Sequence, residues 1–236
     1  KQKRTNMNLI KKLLFAGVLA ILPLLNSCDD SEGYSLGDFT APSWATVTTL
    51  EDGFYLNDDS WGTLWPTNQN VYIEHKGHLP ADGQRVIISF NPLSDKYQKY
   101  DHVIKILHMQ EVLTKGLETL TIENEKEFGN DPINIYPDEL CISGKHLNIT
   151  YLQNAPSDTK HRISLVRPLS DERLYGKDGY INLRLCYNTY EDESGLLVRN
   201  AVSFNLASLK LDAKTKGIRL SYKSTSNGEV EVELPL

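Results

Sequence analysis

The C-terminal stretch GIRLSYKSTSNGEVEVEL, Gly217–Leu234, decides how the chain is read. Val230, Val232 and Leu234 alternate with glutamates, the period of an extended strand with one apolar and one wet face. Asn227-Gly228 separates this run from the strand predicted over 217–223, and that dipeptide suits a type I′ hairpin turn. The same alternation recurs at Leu147, Ile149 and Tyr151, at Ile181, Leu183 and Leu185, and at Val198, Val202 and Phe204. Further strands are predicted over 44–50, 54–56, 63–65, 84–91, 102–113, 133–136 and 161–167. Asp52-Gly53, Asp82-Gly83 and Asp178-Gly179 punctuate them as turns. No long run carries a helical apolar stripe; residues 95–100 allow one short helical turn. The fold class is therefore all-β.

A polar, charged segment, Glu123–Pro132, reads as a linker between two units. The five strands before it, in roughly 80 residues, suit a small OB-like Greek-key barrel. The seven after it, in roughly 105 residues, suit an antiparallel β-sandwich. The expected division is barrel over 41–117 and sandwich over 118–236.

The first 27 residues have a different character. They carry five basic residues and no acid, and Leu13–Leu25 runs without a charge. A spanning helix needs about 20 apolar residues, so the segment fits a signal peptide, with Met7 as the expected start. Leu25-Asn26-Ser27-Cys28 follows and resembles the lipobox of bacterial lipoproteins, which makes Cys28 the expected lipid anchor and membrane attachment. Asp29-Asp30-Ser31-Glu32 begins a tether over 28–40 that resembles the acidic export signal of surface lipoproteins. The expected location is the cell envelope, at the outer membrane and surface-exposed. The remaining 209 residues hold 20 basic against 31 acidic residues, which disfavours nucleic acid as a partner.

With Cys28 committed to lipid, Cys141 and Cys186 remain. Both oppose the apolar parity of their strands, so a cross-strand disulfide and two separate thiols are both open; the separate thiols are favoured. His75 and His78 are spaced as a metal pair, but no third ligand completes a zinc site. His102 and His108 share parity with Ile104 and Ile106 and read as strand-end or core histidines. His161 reads as a structural hydrogen-bonding residue. The adjacent acids Asp58-Asp59 and Glu191-Asp192-Glu193 read as solvated turns. No nucleophile elbow or phosphate-cradling glycine loop is present, so no catalytic residue, metal or cofactor is predicted.

Tyr55, Trp61 and Trp65 cluster around an Asp-Asp-Ser-Trp-Gly turn and form the candidate ligand-contact surface. Aromatic residues of this kind anchor binding hot spots, and OB-folds bind through strand faces and adjoining loops. The competing arrangement has Tyr55 and Trp65 filling the barrel and Trp61 alone exposed.

Four blocks extend the reading. They are Leu56–Pro66, Asp82–Lys115, Ile142–Ile149 with His161–Val166, and Ala201–Leu206. Together with the lipobox these resemble the NigD-like lipoproteins of Bacteroidetes, and the resemblance spans nearly the whole chain. It implies an N-terminal OB-like domain, a C-terminal β-sandwich and a role in bacteriocin immunity. The leading expectation is a non-enzymatic module that binds a protein or peptide. The alternative is a structural or adhesive surface lipoprotein that binds glycan or another envelope protein.

Overall fold

A computed structural model describes residues 40–236; the signal segment, Cys28 and nearly all of the tether lie outside the described residues. The first unit comprises β1 (Ser43–Leu50), β2 (Gly53–Asp58), β3 (Gly62–Pro66), α1 (Gln69–Lys76), β4 (Arg85–Tyr97) and β5 (Tyr100–Glu111). Its strands pair in the order β1-β2-β3-β5-β4, and β4 returns to β1, closing a barrel. Phe54 and Leu56, Leu64, Val86, Ile88 and Phe90, Ile104 and Ile106 fill the interior. These positions follow the alternation of their strands until β5, where the pairing with β4 shifts between Ser89 and Phe90. That bulge buries Met109 and leaves His108 exposed, against the parity predicted for it.

Helix α1 is an element the sequence pattern does not announce, because none of its eight residues is buried. It is fixed instead by contacts at its ends. Gln69 accepts the Phe54 N–H at 2.8 Å, Tyr72 meets the Phe54 ring edge-on at 5.9 Å, and Gly77 closes the helix at φ 77.

The second unit comprises β6 (Leu113–Gly116), β7 (Glu118–Leu120), α2 (Glu125–Phe128), β8 (Asn134–Ser143), β9 (His146–Asn154) and β10 (Arg162–Pro168). After these come α3 (Asp171–Leu174), β11 (Tyr180–Asn188), β12 (Leu197–Asn205), β13 (Gly217–Ser224) and β14 (Gly228–Pro235). Two sheets, β14-β13-β11-β10-β7 and β6-β12-β9-β8, face each other as a sandwich. Leu147, Ile149 and Tyr151 of one sheet pack with Ile181, Leu183 and Leu185 of the other. Hairpin neighbours are antiparallel, whereas β6–β12, β7–β10 and β11–β13 run parallel because the chain crosses between sheets. The β13–β14 connection is longer than the predicted two-residue turn: Ser224 pairs with Gly228, which takes φ 67.

The domain junction differs from expectation. β6 and β7 already pair with sandwich strands, so the chain leaves the barrel at Val112. Val112 donates its N–H to the Arg85 carbonyl at 2.9 Å and accepts the Gln84 amide at 2.7 Å. The segment 123–132 is then part of the sandwich rather than a linker. Phe128 is buried against Val166 and Cys186, with the Arg162 guanidinium 4.5 Å from its ring centroid. Of the charges that marked a linker, Glu127 binds Arg162, which also pairs with Glu118 on β7 at 2.7 Å.

The barrel rests on the outer face of the four-stranded sheet, where Asn148, Thr150 and Ser203 alternate with core residues yet are themselves buried. Arg85 stands at this junction with no exposed surface. Its guanidinium donates to Asp59 at 2.9 and 2.5 Å, to Thr46 at 2.9 Å and to Asn148 at 3.2 Å. Asn148 also accepts from Ser203 at 2.7 Å and donates to Ser143 at 2.7 Å, and Ser143 donates to Asp59. The Asp58-Asp59 turn is thus not simply solvated. Asp59 pairs across the junction, and Asp58 accepts the N–H groups of Ser60 and Trp61 at 2.9 and 3.0 Å. Asp192 likewise organises a loop, accepting N–H groups from Ser157, Asp158 and Thr159.

Candidate functional site

Strand parity places the aromatic candidates. Tyr55 lies between buried Phe54 and Leu56, and Trp65 between buried Leu64 and Pro66, so both point to the outer wall of the barrel. β3 pairs with β5 in parallel, Leu64 opposite His102, which brings the start of β5 beside them. Tyr100 fills the space between the two rings. Its centroid lies 5.2 Å from Tyr55 and 4.8 Å from Trp65, nearly parallel to the indole at 30°. Tyr97, 43% exposed, extends the row at 6.2 Å from Trp65. Lys99 sits over both Tyr55 and Tyr100, its ammonium 5.6 and 5.4 Å from the ring centroids.

Residues 95–100 are therefore a hairpin tip rather than a helical turn. Lys96 and Gln98 adopt φ 47 and 54, a left-handed backbone that non-glycine residues take up at a cost. The tip is tied to β3 by Asp101, which accepts the Thr63 N–H at 2.8 Å and the Thr63 hydroxyl at 2.6 Å. Those hydrogen bonds, the hydroxyl's first, hold the Asp101 carboxyl below its ordinary value. Gly62 permits the approach: it has φ 76, and a Cβ there would lie 2.6 Å from the Asp101 carboxylate.

Trp61 is separated from this row. Asp58 draws the turn back over the barrel end, where the indole meets Phe90 edge-on at 5.5 Å and His102 at 5.4 Å. Tyr55 and Trp65 thus face outward and Trp61 packs partly against the core, the reverse of the arrangement with Trp61 alone exposed. Tyr97, Lys99 and Tyr100 were missed in the sequence. Their signal was an alternation of tyrosine and lysine at a hairpin tip, Lys96-Tyr97-Gln98-Lys99-Tyr100.

The remaining candidates do not converge. His75 lies in the last turn of α1, and His78 turns its Nδ1 to the Leu79 carbonyl. His102 pairs with Asp95 at 2.8 Å. His161 bridges structure, with Nδ1 2.6 Å from the Tyr187 hydroxyl and Nε2 2.6 Å from the Asp192 carbonyl. Cys141 and Cys186 are free and lie in different sheets, so they are not on neighbouring strands. Burial raises both thiols, Cys186 to about 11. Among the described residues no group of three or more His, Cys, Asp or Glu is placed to hold a metal ion.

A flat aromatic row with one cation, carried on the strand face by which OB-folds bind, is suited to stacking and to cation–π contact. Fold and face together define a two-domain module: a closed barrel bearing the aromatic row, set on a two-sheet sandwich. The chain belongs to the NigD-like family. Residues 44–112 match the NigD-like N-terminal OB domain, and residues 116–236 match the NigD-like C-terminal beta sandwich domain. Solved structures agree in fold. A protein of unknown function from Bacteroides vulgatus is 23% identical, with a TM-score of 0.72 over 84% of this chain and 91% of that one. A candidate toxin-related protein from Parabacteroides distasonis is 26% identical, with a TM-score of 0.69 over 84% and 93%. A NigD-like immunity protein from Bacteroides caccae is 16% identical, with a TM-score of 0.56 over 82% and 92%. No curated protein matches the chain.

Proposed function

We propose that this chain is a non-enzymatic lipoprotein of the outer membrane that captures a protein or peptide on its barrel, with bacteriocin self-immunity as its role. The observation that carries the reading is the Tyr55–Tyr100–Trp65–Tyr97 row with Lys99 above it. Trp and Tyr offer large contact area for little lost side-chain entropy, which is why they dominate interface hot spots. The naming of the Bacteroides caccae relative as an immunity protein supports the role, and the 26%-identical toxin-related relative fits the same setting.

Attachment rests on Cys28. Each buried methylene contributes about 0.8 kcal/mol, so a cysteine bearing two or more acyl chains anchors durably. No helix among the described residues is long and apolar enough to cross a membrane. In this reading Cys28→Ser abolishes lipid attachment, and fractionation with mass spectrometry reads the outcome.

The immunity role is tested by expressing the chain in a bacteriocin-sensitive strain and measuring growth in supernatant from a producing strain. Wild-type chain should protect, and a Trp65→Ala, Tyr97→Ala variant that is still present at the membrane should not. Equal inhibition with and without the wild-type chain would remove the immunity role, and protection that survives both substitutions would move binding off this face.

A further inference from the structure

Lined by sandwich residues alone, a cleft of about 440 Å³ opens at one end of the sandwich, within the size range of small-molecule sites. Its walls are the segment after α3 and the connection between β12 and β13. Tyr175, Lys177, Gly179, Tyr180, Lys210 and Lys214 line it.

The walls are held in place from within the fold. The Tyr175 hydroxyl accepts the Lys210 N–H at 3.1 Å, and the Lys216 N–H donates to the Gly179 carbonyl at 2.8 Å. Gly179 has φ 92, and a Cβ there would lie 2.8 Å from the Lys214 carbonyl, so only glycine lets the two segments close together.

Charge then distinguishes this cleft from the rest of an acidic chain. Lys177, Lys210 and Lys214 form no ion pair among the described residues. The nearby acids are largely committed elsewhere. Asp212 accepts the N–H of Lys214 at 2.9 Å and the Thr215 hydroxyl at 3.0 Å, within its own turn. Asp178 pairs with Arg219 at 2.6 Å. Asp171 and Asp212 are the two carboxylates that line the cleft, against three lysines. Lys216 and Arg219 flank the Tyr180 ring at 5.9 and 4.9 Å from its centroid, and the Arg219 charge is taken up by Asp178, Glu231 and Glu233. Three lysines without ion pairs, set against two carboxylates around one cleft, leave it with an excess of positive charge that favours anions.

We propose that this cleft is a binding site for a small ligand bearing carboxylate or phosphate groups, distinct from the barrel face and independent of the function proposed for it. The lysines supply charge, and the half-buried backbone at Gly176 and Gly179 and the tyrosine walls supply shape.

The test uses the full-length chain in non-ionic detergent, titrated calorimetrically with digalacturonate, inorganic phosphate and neutral maltose. An anionic probe should bind, with affinity that falls as salt is raised. Lys177→Gln, Lys210→Gln, Lys214→Gln should weaken that binding roughly tenfold or more, without moving the melting temperature. Trp65→Ala should leave it unchanged, which separates this site from the barrel. Preference for digalacturonate assigns a carboxylated saccharide, and preference for phosphate assigns a phosphoester. Binding of maltose as tight as digalacturonate, affinity untouched by the triple substitution, or no binding of either anion would overturn the proposal.

Discussion

Arg85 is a full guanidinium with no exposed surface, and Asp59, its partner at 2.5 Å, is 13% exposed through its side chain. Removing one member of such a pair strands the other charge in a medium that solvates it poorly. Asp59→Ala should therefore lower unfolding free energy by about 3–5 kcal/mol in denaturant melts. Replacing both members with apolar residues should cost less than Asp59→Ala alone. A loss below about 1 kcal/mol for Asp59→Ala would place the pair with ordinary surface bridges. His146 stands beside the same network. Burial, then the positive charge of Arg85, lowers its imidazole below the ordinary 6.5. The unfolded chain thus binds a proton at higher pH than the folded one. The His146 contribution is complete above about pH 6.5 and declines as pH falls toward the folded value. Stability measured between about pH 7 and 5 should fall, and His146→Gln should flatten that limb.

At the scale of elements, short pieces do the joining. Lys115 on β6 donates to the Ile163 carbonyl at 2.8 Å and to Ser164 at 3.1 Å on β10, which links the two sheets. It also pairs with Glu118 at 3.1 Å. Burial opposes ionisation of Glu118, but hydrogen bonds from Ser164 and Lys115 prevail and keep it below its ordinary value. Helix α2 spans only four residues, and its one buried side chain, Phe128, docks it on the outer face of β10 and β11. Phe128→Ala should cost about 3–5 kcal/mol. It should also turn 123–132 from a protected segment into an early site of proteolysis. Rapid cutting there in the wild-type chain would contradict the docked helix.

At the scale of the whole molecule, the barrel and sandwich meet through polar groups rather than a shared apolar core; the two hydrophobic clusters are separate. The connection at Val112 has no slack, since its N–H is bonded to the Arg85 carbonyl at the start of β4 and its C=O to the side chain of Gln84 just before it. With Arg85 reaching Asn148 across the same junction, the domains should unfold together. Calorimetry should give one transition whose van't Hoff and calorimetric enthalpies agree. Asp59→Ala should separate it into two. Two transitions in the wild-type chain would mean that the polar junction does not couple them.

Local periodicity was enough to establish the class of this protein. Alternation in β9, β11 and β14 marks one apolar face per strand, and that pattern survives any tertiary arrangement that covers the face. The division into a short five-strand unit and a longer sandwich rested instead on the charged segment 123–132, which lies within the sandwich. What alternation does not report is what lies against the second face. Asn148 and Ser203 read as wet and are buried, because the barrel covers them. Asp59 read as solvated and is paired, because Arg85 comes from a strand 26 residues away. The aromatic row was partly legible, in Tyr55 and Trp65, but its assembly required β5 to lie beside β3. The contact between Thr63 and Asp101 spans 38 positions of sequence, and only closure of the barrel brings Tyr100 between the two rings. Short-range pattern thus determined the strands and their apolar sides, and long-range pairing decided which polar and aromatic side chains came together to form the junction and the binding face.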